Sequence, residues 1–354
     1  MDAGPAGQNH GADPARRDLR THRPCRCPEG RRDQRVCRCG QGLLRRSRSE
    51  VRQWPTRRGR QTGAVTNEFD FIARLRALAT DPAARGLNDD AAVLEIGGQL
   101  LVVTHDMMIE GVHWLQGQDM ADVAWKLVAV NLSDLAAKGA RPIGIIVGQT
   151  IPDEEERFLS GLRDALRAFN VPLLGGDTVS AGQGRTALGL TALGSSVSGI
   201  VPGRDGAQPG DLLYITGPVG AAMMGFEALQ AGTEDNSLAF RRPMPLLAEG
   251  AALAPHVSAM MDVSDGLLLD AWRLATTSGV TLAIDTAEVP LGAPEERRDD
   301  ALRWGDDYQL LFTASPTAEL PARAIPIGTV EEGEPPLLVD GIAIFEPEGL
   351  GYRH

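Results

Sequence analysis

Arginine divides this chain more sharply than any other property. The first 64 residues carry 16 Arg against 6 acidic side chains, a net of +10, while the remaining 290 carry 19 basic against 41 acidic side chains, a net of −22. The arginine-rich part also has scattered Pro and Gly, few large apolar residues, and neither a helical nor a strand period. It cannot bury enough apolar surface to offset the entropy lost on folding. A packed core is therefore expected only from about residue 67 onward, with residues 1–66 a disordered extension. We expect that extension to be upstream sequence, translated ahead of a true start near Val65.

All four cysteines (Cys25, Cys27, Cys37 and Cys39) fall in this segment. Their C-x-C pairs are not the usual C-x2-C ligand spacing and no strand signal surrounds them, so zinc is disfavoured. The body, left without thiols, suits a reducing compartment. No run of about 18 apolar residues occurs, and the N-terminus lacks the apolar stretch of a secretory signal. A cytoplasmic location without membrane or nucleic-acid contact is expected. A body this acidic repels a nucleic-acid backbone, and it repels a polyphosphate too unless divalent cations intervene.

Periodicity predicts a helix over 68–79, strands over 91–96 and 100–105, a long helix over 120–138, a strand over 143–150 and a helix over 153–169. Short strands at 171–174 and 186–198 close a first half, 67–203. The second half, 204–354, reads as strand 211–216, helices 219–231 and 245–254, strand 258–263, helix 266–278, strands 280–285 and 308–313, and weaker strands after 325. Both halves mix helix and strand, which points to α+β or α/β.

The acids fall where apolar strands run into turns: Asp89-Asp90, Asp106, Asp177, Asp262 to Asp265, and Asp306-Asp307. Strand ends are where sites are built, and several carboxylates from several strands can hold magnesium. Taken singly, each also reads as a solvated turn residue or a helix cap. Asp134 shares one stripe of the 120–138 helix with Asn131 and Lys138, a pattern that a solvated face also produces. Lys126 and Lys138 are the only lysines in the chain. No P-loop and no protein-kinase signature is present. Gly217-x-x-Gly220 between strand and helix can cradle a phosphate, although tight packing explains it equally simply.

Taken together, Asn88-Asp-Asp-Ala-Ala, Thr104-His-Asp106 with Glu110-Gly-Val-His113, Val130-Asn-Leu-Ser-Asp-Leu-Ala-Ala-Lys-Gly139, Leu174-Gly-Gly-Asp-Thr178, Asp262-Val-Ser-Asp-Gly266 and Gly305-Asp-Asp-Tyr308 follow a known order. Over residues 67–354 the chain resembles the thiamine-monophosphate kinase family, within the superfamily of aminoimidazole-ribonucleotide synthetase and selenophosphate synthetase. The resemblance implies an α+β fold of two domains, dimerised through N-terminal strands that pair into a barrel. It implies Mg2+ ligands at Asp90, Thr104, His105, Asp106, Asp134, Asp177, Asp262 and Asp265. ATP contacts would come from Gly176, Asp177, Arg204 and Ser264, and contacts to thiamine monophosphate from His113, Asp306 and Tyr352.

Three positions depart from the family pattern: Asn88 for Gly, His105 for Thr and Asp306 for Glu. The last bears on the acceptor. The implied reaction passes the γ-phosphoryl of ATP to thiamine monophosphate. Rival readings are another small-molecule kinase or synthetase of the superfamily, a silent nucleotide-binding protein, or a nucleic-acid-binding role for the arginine-rich arm.

Overall fold

The computed structural model describes residues 68–152, 154–180 and 185–352. The disorder expected for residues 1–66, and the cysteine pairs within them, lie outside the described residues.

Helix α1 (Glu68–Arg76) leads into a 3-10 turn over Pro82–Leu87. Strands β1 (Ala92–Ile96) and β2 (Gln99–Ile109) follow, then α2 (Met120–Ala137), β3 (Ala140–Thr150), α3 (Glu155–Ala168), β4 (Leu173–Val179) and β5 (Ala187–Ser196). The five strands form one sheet in the order β1-β2-β5-β3-β4, antiparallel except for the β3–β4 pair. Strand β3 starts three residues earlier than the sequence suggested. The irregularity between Pro142 and Gly144 absorbs a proline that cannot donate to a regular ladder. Strand β4 runs on to Val179 because pairing with β3 overrides the poor strand propensity of Gly-Gly-Asp.

The second half comprises β6 (Leu212–Ile215), α4 (Ala221–Gln230), α5 (Leu238–Arg241), α6 (Leu247–Leu253), β7 (Ala259–Asp262), α7 (Leu267–Ser278), β8 (Thr281–Ile284), α8 (Arg298–Trp304), β9 (Leu310–Ala314), β10 (Ile325–Glu331), β11 (Leu337–Val339) and β12 (Ile342–Ile344). Its seven strands lie in the order β12-β11-β8-β10-β6-β9-β7. Helices α5 and α8 were not anticipated. Helix α8 is charged on its exposed side and is anchored by buried Ala301, Leu302 and Trp304. No described helix is long and apolar enough to cross a membrane.

The period-2 alternation of this second sheet assigns its two faces to different cores. Leu213, Ile215, Met261 and Leu311 pack with Leu267, Leu268 and Leu274 of α7. Tyr214, Met260 and Phe312 pack instead with Ala136 and Ala137 of α2 and with Leu253 of α6. Along its other side α2 places Val123, Leu127 and Val128 against Met108, Ile145, Leu188 and Leu190 of the first sheet. Helix α2 is thus a layer shared by the two sheets, and every residue of it except Trp125 is buried. A helix apolar nearly all round belongs in such a position.

Two glycines set how closely α2 is gripped. A Cβ on Gly161 of α3 would lie 2.0 Å from the Ala121 carbonyl oxygen, and one on Gly250 of α6 would lie 1.9 Å from that of Ala136. The neighbouring helices therefore touch α2 backbone to backbone.

Candidate active site

The polar stripe of α2 is not a solvated face. Asn131, Ser133 and Lys138 are fully buried, and Asp134 is 8% exposed. The stripe faces the seam between the two halves, where a cavity of about 900 Å³ opens. Its walls include Asp90 from the turn ahead of β1, Asp106 from β2, Asp134 from α2, and Asp262 and Asp265 from the end of β7 and the turn that follows.

Asp90, Asp134 and Asp262 each bring a carboxylate oxygen within 4.8 Å of the other two. The surrounding side chains fix their rotamers. The Thr104 hydroxyl donates to Asp134 Oδ2, and the Ser133 hydroxyl donates to Asp262 Oδ2 at 2.6 Å. Asn131 accepts from the Asp106 amide at 2.9 Å and donates to the Leu127 carbonyl at 2.9 Å.

The electrostatics divide this cluster. Burial, then Asp90, pushes the Asp262 carboxyl up to about 8. Burial, then Asp265 and Asp90, raises Asp106 to about 6. Asp134 stands well above its ordinary value through burial, then Asp106 and Asp262. Asp90 goes the other way: burial pushes it up, but Arg204 and Lys138 together outweigh burial and hold it low. Buried like charges of this kind call for a hard cation, and an all-oxygen donor set suits magnesium.

At the other end of the cavity Lys126 Nζ donates to the His113 carbonyl and to Asp306 Oδ2, each at 3.2 Å. It also lies 3.9 Å from the centre of the Phe240 ring, a cation–π arrangement. The Tyr308 hydroxyl donates to Asp306 Oδ1 at 3.1 Å. Both Asp306 oxygens therefore contact protein groups, and the shorter side chain at this position is drawn toward α2. His113 accepts from the Ile109 amide through Nδ1 at 3.0 Å. The Tyr352 amide donates to the Asp265 carbonyl at 2.9 Å, which brings the chain end to the cavity wall.

Arg204 pairs with Asp90. Ser264 sits in a turn tied by Asp270, whose Oδ2 accepts from the amides of Ser264 and Asp265, each at 3.0 Å. Arg273 bridges Asp265 at 2.5 Å and Asp270 at 2.9 Å. Asp270, Arg273, Tyr308 and the role of Lys126 escaped the sequence reading. The scarcity of lysine was the one signal for Lys126 and the motif Gly305-Asp-Asp-Tyr308 the one for Tyr308, while nothing local marked Asp270 or Arg273.

His105, Gly176 and Asp177 stand apart from the cavity in this chain. His105 lies on the face of the first sheet turned away from α2, with Nδ1 2.9 Å from the Thr191 hydroxyl. Register places Asp177 beside Gly148, then Gly189, then Met107, three strands from β2. At a strand spacing of about 4.8 Å that is roughly 14 Å away, on the same uncovered face as His105. Gly217-x-x-Gly220 takes its simpler reading. Asp307 Oδ1 accepts from the Gly220 amide at 2.8 Å, so the N-terminus of α4 already holds the protein's own carboxyl, which burial raises well above its usual range.

Comparisons with known proteins match both halves of the chain. The N-terminal domain of the AIR synthase related proteins matches residues 88–196, and their C-terminal domain matches residues 208–333. Thiamine-monophosphate kinase of Caulobacter vibrioides is 37% identical over 329 residues, covering 82% of this chain and 92% of that protein. The enzyme of Salmonella typhimurium is 35% identical over 309 residues, covering 80% and 93%. Among solved structures, AaThiL complexed with AMPPCP and TMP superposes with a TM-score of 0.74 at 29% identity, over 81% of this chain and 97% of that one. With both domains matched in order and these relatives covered over nearly their whole length, the chain belongs to the thiamine-monophosphate kinase family.

Proposed function

We propose that this chain transfers the γ-phosphoryl group of ATP to the phosphate of thiamine monophosphate, giving thiamine diphosphate and ADP. One observation carries the reading: a buried carboxylate cluster and the His113–Asp306–Tyr352 group line the same cavity. That is the layout a kinase for a small phosphate ester needs. The family relatives named for this activity, and the neighbour that holds AMPPCP with TMP, support it. Residues 67–203 and 204–354 act as the two domains, and a cytoplasmic location goes with a soluble substrate pair.

Asp90, Asp134 and Asp262, with Asp106 and Asp265, would hold Mg2+, and Thr104 would orient Asp134. Bound Mg2+ would neutralise charge on the transferring phosphoryl group and on ADP. Arg204 is placed for a phosphate of ATP, because its Nε is buried without a hydrogen-bond partner among the described residues. The acceptor is a phosphate monoester with a second pKa near 6, already largely ionised at neutral pH, so no side chain need act as base. Positioning by His113, Asp306 and Tyr352 is what remains for the protein to supply. Phosphorus NMR of the full chain with ATP, Mg2+ and thiamine monophosphate should show thiamine diphosphate accumulating. ATP consumption without that product would refute the acceptor.

Metal binding should compete with protons. Asp106 and Asp262 are raised above an unfolded value of 3.8, so their contribution to metal-free stability is present below about pH 4. It is lost as pH rises, through about 6 for Asp106 and about 8 for Asp262. Mg2+ must displace those protons, so it should raise the melting temperature more at pH 8 than at pH 6. An equal or smaller shift at pH 8 counts against this ligand set.

The uncovered face of the first sheet supports a homodimer paired into a barrel. Ile96, Met107 and Ile146, on three strands of that face, are 58%, 53% and 42% exposed. His105 and Asp177 share it, so a second copy would give them neighbours. Sedimentation should give about twice 37.7 kDa, and Ile146→Asp should yield monomers. A monomeric native protein would rule the pairing out.

A further inference from the structure

Lys138 closes α2 with its side chain wholly buried. Its ammonium is ringed by three oxygens, as a coordinated cation would be. Asp89 Oδ1 is in ion-pair contact, Asp90 Oδ2 lies 2.7 Å away, and the Met260 carbonyl accepts a hydrogen bond at 3.0 Å. Two of these oxygens belong to the first half and the third to β7 of the second.

Charge around the cavity is distributed unevenly as a result. Asp89 and Asp90 meet three cations, namely Arg85, Lys138 and Arg204. Asp134 and Asp262 meet hydroxyls instead, and among the described residues neither of them nor Asp106 forms an ion pair. The first group is more than neutralised, whereas the second carries three carboxylates with no fixed counter-charge. A divalent ion entering the cavity gains most at the second group and meets a like charge at the first.

We propose that Lys138 Nζ is a built-in cation of the phosphoryl-transfer centre, occupying the position on Asp89 and Asp90 that a divalent ion would otherwise take. Divalent ions are thereby confined to the side of Asp106, Asp134 and Asp262. Asp90 keeps its place in the cluster but arrives neutralised. The inference rests on the kinase reading only in calling the centre one of phosphoryl transfer. A competing role is that Lys138 merely staples the two halves together through Met260.

Mn2+ bound to the full chain in the presence of AMPPCP, counted by electron paramagnetic resonance of the free ion, separates the two roles. Lys138→Met should bind one more Mn2+ per chain than the native protein, because Asp89 and Asp90 then recruit a divalent ion. The double variant Asp89→Asn with Lys138→Met, which takes away one of the two carboxylates that would hold the added ion, should return to the native count. If Lys138→Met is unfolded without metal, Mn2+ should restore its native melting behaviour. An unchanged count in Lys138→Met, or a variant that stays unfolded at saturating Mn2+, overturns the proposal and leaves the staple. The count does not depend on turnover, so failure to phosphorylate thiamine monophosphate would touch the functional reading alone.

Discussion

Asp262→Asn is expected to lower turnover by about 10³- to 10⁴-fold, equivalent to roughly 4–5.5 kcal/mol of transition-state stabilisation. Asp134→Asn should behave alike, since both carboxylates belong to the group without a fixed counter-charge. The fold should survive each change. An asparagine oxygen can still accept from the Ser133 hydroxyl, which lies 2.6 Å from Asp262, or from Thr104 at position 134. Removing one of several buried like charges relieves repulsion in the metal-free protein, so the melting temperature should hold or rise. Turnover near the native rate in either variant would remove the cluster from the mechanism.

Gly250→Val should be as damaging to stability as the aspartate changes are to rate. A Cβ at that position would stand 1.9 Å from the Ala136 carbonyl oxygen, and backbone cannot yield as a flexible side chain does. Helix α6 would have to move off α2, at a cost of about 3 kcal/mol or more. In a body of this size that is a drop of roughly 6–12 °C in melting temperature. Gly161→Val should act in the same way through α3 and the Ala121 carbonyl. Unchanged melting in both variants would mean that something other than these glycines sets the spacing.

The sequence made the helical and strand skeleton legible where periodicity was strong, as over α2, α3 and α7. It failed where tertiary pairing outvoted local preference. Strand β4 contains Gly175, Gly176 and Asp177, poor strand formers held by β3, and β3 contains a proline tolerated through a bulge. The carboxylates from β2, α2 and β7 stood out as a set only through the order of the motifs that contain them, since each taken singly also read as a turn residue, a cap or a solvated face. What spacing along the chain did not reveal was which face each strand turns to the cavity. Asp106 faces α2 while its neighbour His105 faces away, a difference that sheet register and the position of α2 decide. Nor did the sequence show that Asp307 occupies the N-terminus of α4, a contact between residues 87 positions apart.

The shared layer has a consequence for how the chain comes apart. Each half has a sheet of its own, and each matches a family domain separately, the pattern of two modules open to exchange or separate expression. Yet Tyr214, Met260 and Phe312 of the second sheet are covered on one face by a helix that the first half supplies. Severed near residue 203, the second piece would expose that aromatic face to water and the first would expose the flank of α2 that had covered it. The two domains are thus separable as units of descent but not as units of folding, and heat should melt them in a single cooperative step.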